Sequence, residues 1–67
     1  MSVMEKVRVL FATSGKTYDE LGLAMGYKVD TARKSAWQFV ARTSDPRPSM
    51  LLKFAKAMGI DPKELLS

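Results

Sequence analysis

Basic side chains are concentrated in the middle third of the chain, where they could neutralise the phosphates of a nucleic acid. Residues 28–47 carry a net charge of +3, whereas residues 1–27 are neutral and residues 48–67 carry +1. A local basic excess is typical of nucleic-acid binding. Many basic domains only carry solvated lysines, however, so the charge needs a second signal. The basic residues of this stretch are Lys28, Arg33, Lys34, Arg42 and Arg47.

Four polar side chains within residues 28–38 have the chemistry to read base edges. Arg33 and Lys34 can donate hydrogen bonds to O6 and N7 of guanine, and the Arg33 guanidinium can donate two at once. Gln38 can pair its amide with adenine, and Thr31 can contact a thymine methyl group or a phosphate. The alternative is that Arg33 and Lys34 lie on an ordinary solvated helix face. We expect base contacts from Thr31, Arg33, Lys34 and Gln38.

The composition argues against catalysis and against a bound metal. The chain has no cysteine and no histidine, so the usual nucleophile, general base and metal ligands are missing. Its carboxylates do not cluster in a way that suits acid–base chemistry. Asp19 and Glu20 are adjacent, but acids in the first turn of a helix are favoured by the helix dipole. We therefore expect no enzymatic activity and no cofactor.

The length of 67 residues predicts one small domain. Chains of this size bury only about 60% of the surface that the unfolded chain exposes, which leaves little room for a deep cleft. No apolar run approaches the ~18 residues of a membrane span. The first residues, MSVMEKVR, lack the apolar core of a signal peptide. We expect an intracellular location.

Apolar spacing and helix-capping residues predict an all-α, compact five-helix bundle without strands. Ser2 and Thr17 each precede a glutamate by three residues, which is the capping-box pattern. Asp30 and Ser49 are the expected caps of the third and fourth helices, and Asp61 that of the fifth. The predicted helices span roughly residues 2–14, 17–25, 31–42, 49–58 and 62–66.

The third predicted helix should turn a small apolar face towards the core. Ala32, Ala36 and Val40 follow helical spacing, and Trp37 is expected beside them because a single tryptophan usually anchors the core of a small bundle. Gly22 and Ala36 are small enough to let the second and third helices approach closely. Two helices joined by a short glycine-containing turn, the second one basic, form a helix-turn-helix pattern.

Several segments of residues 17–66 match one known sequence pattern. They are Thr-Tyr-Asp-Glu-Leu at 17–21, Met-Gly-Tyr at 25–27, Trp37, Pro-Ser-Met at 48–50, Phe-Ala-Lys-Ala-Met-Gly-Ile at 54–60 and Glu-Leu-Leu at 64–66. In these segments the chain resembles the lambda-repressor-like (XRE, or Cro-type) family of helix-turn-helix DNA-binding domains. Residues 26–37 are about two residues longer than the family pattern, and Gln38 and Phe39 stand where it has an acidic residue and a glycine. The resemblance therefore leaves the register of the base contacts open.

The resemblance implies that the third helix lies in the major groove and that the second and fourth helices begin near phosphates. By position, Thr17 and Tyr18 would contact the DNA backbone, and Ser49 would bring a helix N-terminus close to another phosphate. Tyr18 could equally have a packing role. Basic residues at the ends of the recognition helix have the chemistry for the same task. The expected phosphate contacts are Lys16, Thr17, Tyr18, Lys28, Arg42, Arg47 and Ser49.

These features together predict a sequence-specific transcriptional regulator of double-stranded DNA, of the phage or bacterial repressor type, in the cytoplasm at the nucleoid. A homodimer on a pseudo-palindromic operator is expected, with the C-terminal region around Ile60, Leu65 and Leu66 as the contact. Leu65 and Leu66 are adjacent, so one of them should be left for a partner. The alternative is a protein-interaction module on the same fold, of the antirepressor or antitoxin type. An exposed apolar patch would favour it, built from Phe39, Val40, Ile60, Leu65 and Leu66.

Overall fold

The computed structural model describes residues 2–66, and within this range it contains five α-helices and no strands. The prediction of an all-α, five-helix chain is confirmed. No helix in the described range is long and apolar enough to cross a lipid bilayer. The helices are α1 (Val3–Ser14), α2 (Tyr18–Ala24), α3 (Val29–Trp37), α4 (Pro48–Met58) and α5 (Lys63–Leu66).

The predicted caps of α1 and α2 are confirmed. The Ser2 hydroxyl accepts a hydrogen bond from the backbone N–H of Glu5 at 3.2 Å. Thr17 and Glu20 form a complete capping box: the Thr17 hydroxyl accepts from the Glu20 N–H at 3.1 Å, and the Glu20 carboxylate accepts from the Thr17 N–H at 2.9 Å. These bonds satisfy N–H groups that a helix start leaves without an intrahelical partner.

The starts of α3 and α4 differ from the prediction. Helix α3 begins two residues earlier, with Lys28 as its N-cap, so Asp30 lies in the first turn and is not the cap. An acid is stabilising both at the N-cap and in the first turn, because the helix dipole favours a negative charge at both positions. An aspartate in the sequence therefore does not show which of these two positions it occupies. Helix α4 begins with Pro48, and Arg47 is the N-cap in place of Ser49. Proline suits the first helical position because its fixed φ is helical and its missing N–H is not needed there.

The single helix predicted over 31–42 changes its geometry after Trp37. Residues Gln38–Arg42 form a π-helical segment that continues α3 directly. Thr43 lies at its end and donates a hydrogen bond from its hydroxyl to the Gln38 carbonyl at 3.2 Å. Arg8 of α1 donates to the carbonyls of Val40 and Thr43 at 2.9 and 3.2 Å. One arginine thus satisfies two carbonyls at the end of this helix.

The core is formed by side chains from all five helices and the π segment. Phe54 of α4 lies at its centre, and its ring centroid is 5.8 Å from that of Phe39 in a tilted arrangement. The prediction for Trp37 is wrong: its side chain is 40% exposed, while Phe39 and Val40 turn inward. The buried core residues are Met4, Val7, Leu21, Met25, Ala32, Ala36, Phe39, Val40, Phe54, Ala55 and Leu65.

The backbones of α2 and α3 approach each other most closely at Gly22. A Cβ atom at this position would lie 2.8 Å from the Cα of Ala32 and would overlap its carbonyl group. The predicted close approach is therefore present, but Gly22 meets Ala32 and not Ala36. The indole of Trp37 is outside because helical spacing places it on the same side of α3 as the exposed Arg33 and Lys34. Residues 25–28 link the two helices, with Gly26 at φ 99°.

Candidate nucleic-acid interface

All four residues predicted to read bases are exposed on α3 or at its end. At 3.6 residues per turn, Thr31, Lys34 and Gln38 form one stripe opposite the buried Ala32 and Ala36. Arg33 lies at the side of this stripe that faces α2. The inner face of α3 therefore carries small buried alanines and its outer face mainly polar residues, with the exposed side chains of Val29 and Trp37 as exceptions.

The start of α2 lies beside Arg33. An open depression of about 420 Å³ is lined by Phe11, Lys16, Thr17, Tyr18, Asp19 and Arg33. Three predicted phosphate contacts and one predicted base contact thus meet at one place. The Tyr18 ring stacks on Phe11, with ring centroids 4.8 Å apart and an angle of 19° between the ring planes. Tyr18 therefore packs against α1 and lines this depression, so both roles considered for it are compatible with the structure.

A second depression of about 640 Å³ adjoins the first. It is lined by Tyr18, Asp30, Arg33, Lys34 and Trp37. The guanidinium carbon of Arg42 lies 5.8 Å from the centroid of a Trp37 ring, within the range of a cation–π contact. Trp37 was not among the predicted site residues. It follows Arg33 by four residues and Lys34 by three, and this helical spacing could have placed it on the exposed side.

The opposite flank of α3 brings Gln38 close to Arg47. Both line a depression of about 320 Å³ with Tyr27, Ser35, Phe39, Thr43, Asp45, Pro46 and Met50. Lys28 and Ser49 are exposed, at the N-cap of α3 and in the first turn of α4. The predicted contacts therefore fall into two groups, one on each side of α3. Arg33 belongs to the group beside α2, and Gln38 to the group beside α4.

Three of the five charged side chains that line the two depressions on the α2 side are positive: Lys16, Arg33 and Lys34. Within residues 2–66, the side chains of Arg33 and Lys34 form no hydrogen bond or ion pair. Two acids, Asp19 and Asp30, lie on the same side.

Hydrogen bonds from the backbone N–H and the side chain of Thr17 hold the pKa of Glu20 below its ordinary value, and Lys16 adds a smaller lowering. No group of three acidic side chains in the described range could hold a metal ion.

The C-terminal helix carries a separate apolar groove. It has a volume of about 220 Å³ and is lined by Pro48, Leu51, Leu52, Pro62, Leu65 and Leu66. Leu65 is buried and Leu66 is 74% exposed, so the two do not point the same way and one is left exposed, as predicted. The larger patch considered for a protein partner is not present, because Phe39, Val40 and Leu65 belong to the core and Ile60 is half-buried.

No protein family, curated protein or solved structure gives a significant match to the chain. The resemblance over residues 17–66 therefore stays an expectation.

Proposed function

We propose that the chain is a sequence-specific double-stranded DNA-binding regulator, of the phage or bacterial repressor type, without catalytic activity or cofactor. In this proposal α2 and α3 act as a helix-turn-helix, and α3 enters the major groove. The observation that carries it is the division of α3 into an inner face of alanines and an outer face with Thr31, Lys34 and Gln38.

The dimensions of α3 suit this task. An α-helix with its side chains is about 10–12 Å wide, and the major groove is about 12 Å wide. A helix that enters it must carry short or flexible polar residues outside, as α3 does between Thr31 and Gln38. Arg33 would then reach base edges, with guanine as the preferred partner, and Lys34 would reach a base edge or a neighbouring phosphate.

Phosphate contacts from both flanks would hold α3 in register. Lys16, Thr17 and Tyr18 lie beside Arg33 at the start of α2, where the Lys16 ammonium group and the Tyr18 hydroxyl have the chemistry for phosphate contacts. On the other flank, Arg47 precedes α4 and shares a depression with Gln38. A helix in the major groove has a DNA backbone on each side, so phosphate contacts are needed on both of its flanks. Lys28, Arg42 and Ser49 complete the proposed phosphate contacts.

Two copies would bind together, because one such domain covers only about half of an operator. The proposed contact between the copies is the C-terminal groove, with Leu66 as its most exposed leucine. The same groove is the observation that favours the alternative function, a protein-interaction module. In that case the groove would receive another protein and α3 would have no specific DNA partner.

Selection from random DNA tests the proposal. The protein is incubated with random-sequence duplexes at moderate salt, and the bound pool is sequenced for the wild type, Arg33→Ala and Lys63→Ala. Lys63 is an exposed cation of α5, a helix that packs on α1, so its removal controls for the loss of one charge. We expect an enriched palindromic motif that weakens or relaxes with Arg33→Ala only.

Two other results of this selection would contradict the proposal. Salt-sensitive binding without an enriched motif would contradict sequence-specific recognition. An absence of binding would contradict DNA binding altogether and favour the protein-interaction module.

A further inference from the structure

We infer that Trp37 contacts DNA directly, and that the depression it forms with Tyr18, Arg33 and Lys34 holds one deoxyribose-phosphate unit of the bound strand. This inference rests on the proposed function and deepens it, because it names the part of the ligand that this surface receives. Trp37 was expected in the core, so its exposed position in the structure carries the assignment.

The exposure of Trp37 is the first observation. It is the single tryptophan of the chain, and 40% of its side chain is exposed while much smaller alanines fill the inner face of α3. A large aromatic side chain outside the core gives up stabilisation that burial would provide. Its neighbours on this surface are Arg33 and Lys34, whose side chains have no partner within residues 2–66.

The combination of an indole with two free cations suits a sugar-phosphate unit. Lys34 can donate to the phosphate oxygens and neutralise their charge, while Arg33 beside it keeps the base contact proposed for it. The indole offers an apolar surface for the deoxyribose and one N–H donor at its edge. The Tyr18 ring is held by its stacking on Phe11, so its place in the wall of the depression is fixed.

Arg42 and Asp30 refine this assignment. The guanidinium of Arg42 lies over the Trp37 ring and favours one orientation of the indole before any ligand binds. Asp30 lines the same depression, and its carboxylate repels a phosphate. Lys34 follows Asp30 by four residues on α3, so its positive charge offsets this repulsion at the place where the phosphate is expected.

Trp37 itself reports on this contact, since no other tryptophan contributes to the fluorescence. The probe is a random-sequence duplex of about 20 base pairs at low salt, a length that spans two helical turns. Acrylamide quenching of Trp37 is measured with and without saturating duplex, and affinity is measured by the anisotropy of labelled duplex. We expect the quenching constant to fall at least about twofold on binding, because DNA would cover the indole.

Two variants separate this contact from folding. Trp37→Ala should weaken binding about tenfold, whereas Trp37→Phe should retain most of the affinity because it keeps an aromatic surface. Val9→Ala is the matched control, since Val9 is also an exposed apolar residue but lies on α1, where it lines a separate depression with Glu64 of α5. Circular dichroism checks that each variant is folded, and the quenching experiment on the wild type needs no variant.

The outcomes distinguish this inference from the proposed function. Binding with unchanged quenching would overturn the role of Trp37 and leave DNA binding in place. The same conclusion would follow if folded Trp37→Ala bound as tightly as the wild type and Val9→Ala. No anisotropy change at any duplex concentration would overturn both.

Discussion

Arg8 on α1 donates a hydrogen bond from its Nε to the backbone carbonyl of Val40, 2.9 Å away and 32 positions later in the chain. Its terminal nitrogen also donates to the carbonyl of Thr43. Helix ends leave carbonyl groups without intrahelical donors, and here a side chain from another helix supplies them. The first helix therefore holds the end of the helix that carries the candidate interface.

Replacing Arg8 by alanine should destabilise the fold. We expect Arg8→Ala to lower the free energy of unfolding by about 1–2 kcal/mol, because two hydrogen bonds from a charged donor are lost. Arg8→Lys should recover little of this, since one ammonium group does not reproduce the guanidinium geometry. Urea unfolding measures both changes. A loss below about 0.5 kcal/mol in Arg8→Ala would show that water replaces the arginine.

Gly22→Ala tests the contact between α2 and α3. The added methyl group would overlap the Ala32 carbonyl, so the helices must move apart. We expect a loss of about 3 kcal/mol in the free energy of unfolding, despite the higher helix propensity of alanine. Leu23→Ala, at an exposed position of the same helix, is the control and should change stability by less than about 1 kcal/mol. Equal stabilities of the two variants would argue against the close approach.

The capping box predicts a pH dependence of stability. The folded state lowers the pKa of Glu20, so its contribution is complete above the ordinary glutamate pKa and is lost as the pH falls through the lowered value. Glu20→Gln should remove this part of the acid sensitivity. The measurement is the urea midpoint of the wild type and of Glu20→Gln at neutral pH and near pH 3. If the difference between the two proteins stays the same at both pH values, Glu20 does not contribute through its charge.

The salt dependence of DNA binding tests whether Lys34 lies in the interface. If Lys34 neutralises a phosphate, Lys34→Ala should reduce the slope of log affinity against log salt by about one. If Lys34 reads a base, its removal should mainly relax sequence preference at that base. Lys63→Ala removes the same charge on α5 and should leave both quantities unchanged. A common effect of the two variants would indicate that only the overall charge of the protein matters.

Leu66→Glu tests the proposed contact between two copies. A charge in the apolar groove should disfavour association, so size-exclusion chromatography with light scattering should show a dimeric wild type and a monomeric variant. Affinity for a palindromic site should fall, while affinity for a half-site should not. Elution of the wild type as a monomer, together with unchanged DNA affinity of Leu66→Glu, would remove this surface from the proposal.

Features that depend on neighbouring residues could be predicted from the sequence. The capping box of Thr17 and Glu20 and the left-handed glycines after α1 and α4 follow from local backbone chemistry. The exposure of Thr31, Lys34 and Gln38 also follows, because their spacing places them opposite the alanines of α3, with Arg33 at the side of this stripe.

Features that depend on contacts between helices could not be predicted in the same way. Gly22 was expected to allow a close approach, but its contact with the Ala32 carbonyl is set by the tertiary fold. The two hydrogen bonds of Arg8 join distant parts of the chain, and nothing near Arg8 in the sequence indicates them. The meeting of Lys16 and Tyr18 with Arg33 depends on the same packing of α2 against α3.

The alanines on the inner face of α3 have a consequence for how new specificities can arise. Ala32 and Ala36 make the contact with the rest of the bundle, and the side chains at 31, 33, 34 and 38 take no part in it. Substitutions at these four positions therefore change the chemistry of the outer surface while the inner contact is kept. The outer residues of α3 can therefore change while its packing against the bundle is kept. This makes α3 a suitable site for a randomised library, and it would allow binding specificity to diverge without loss of the fold.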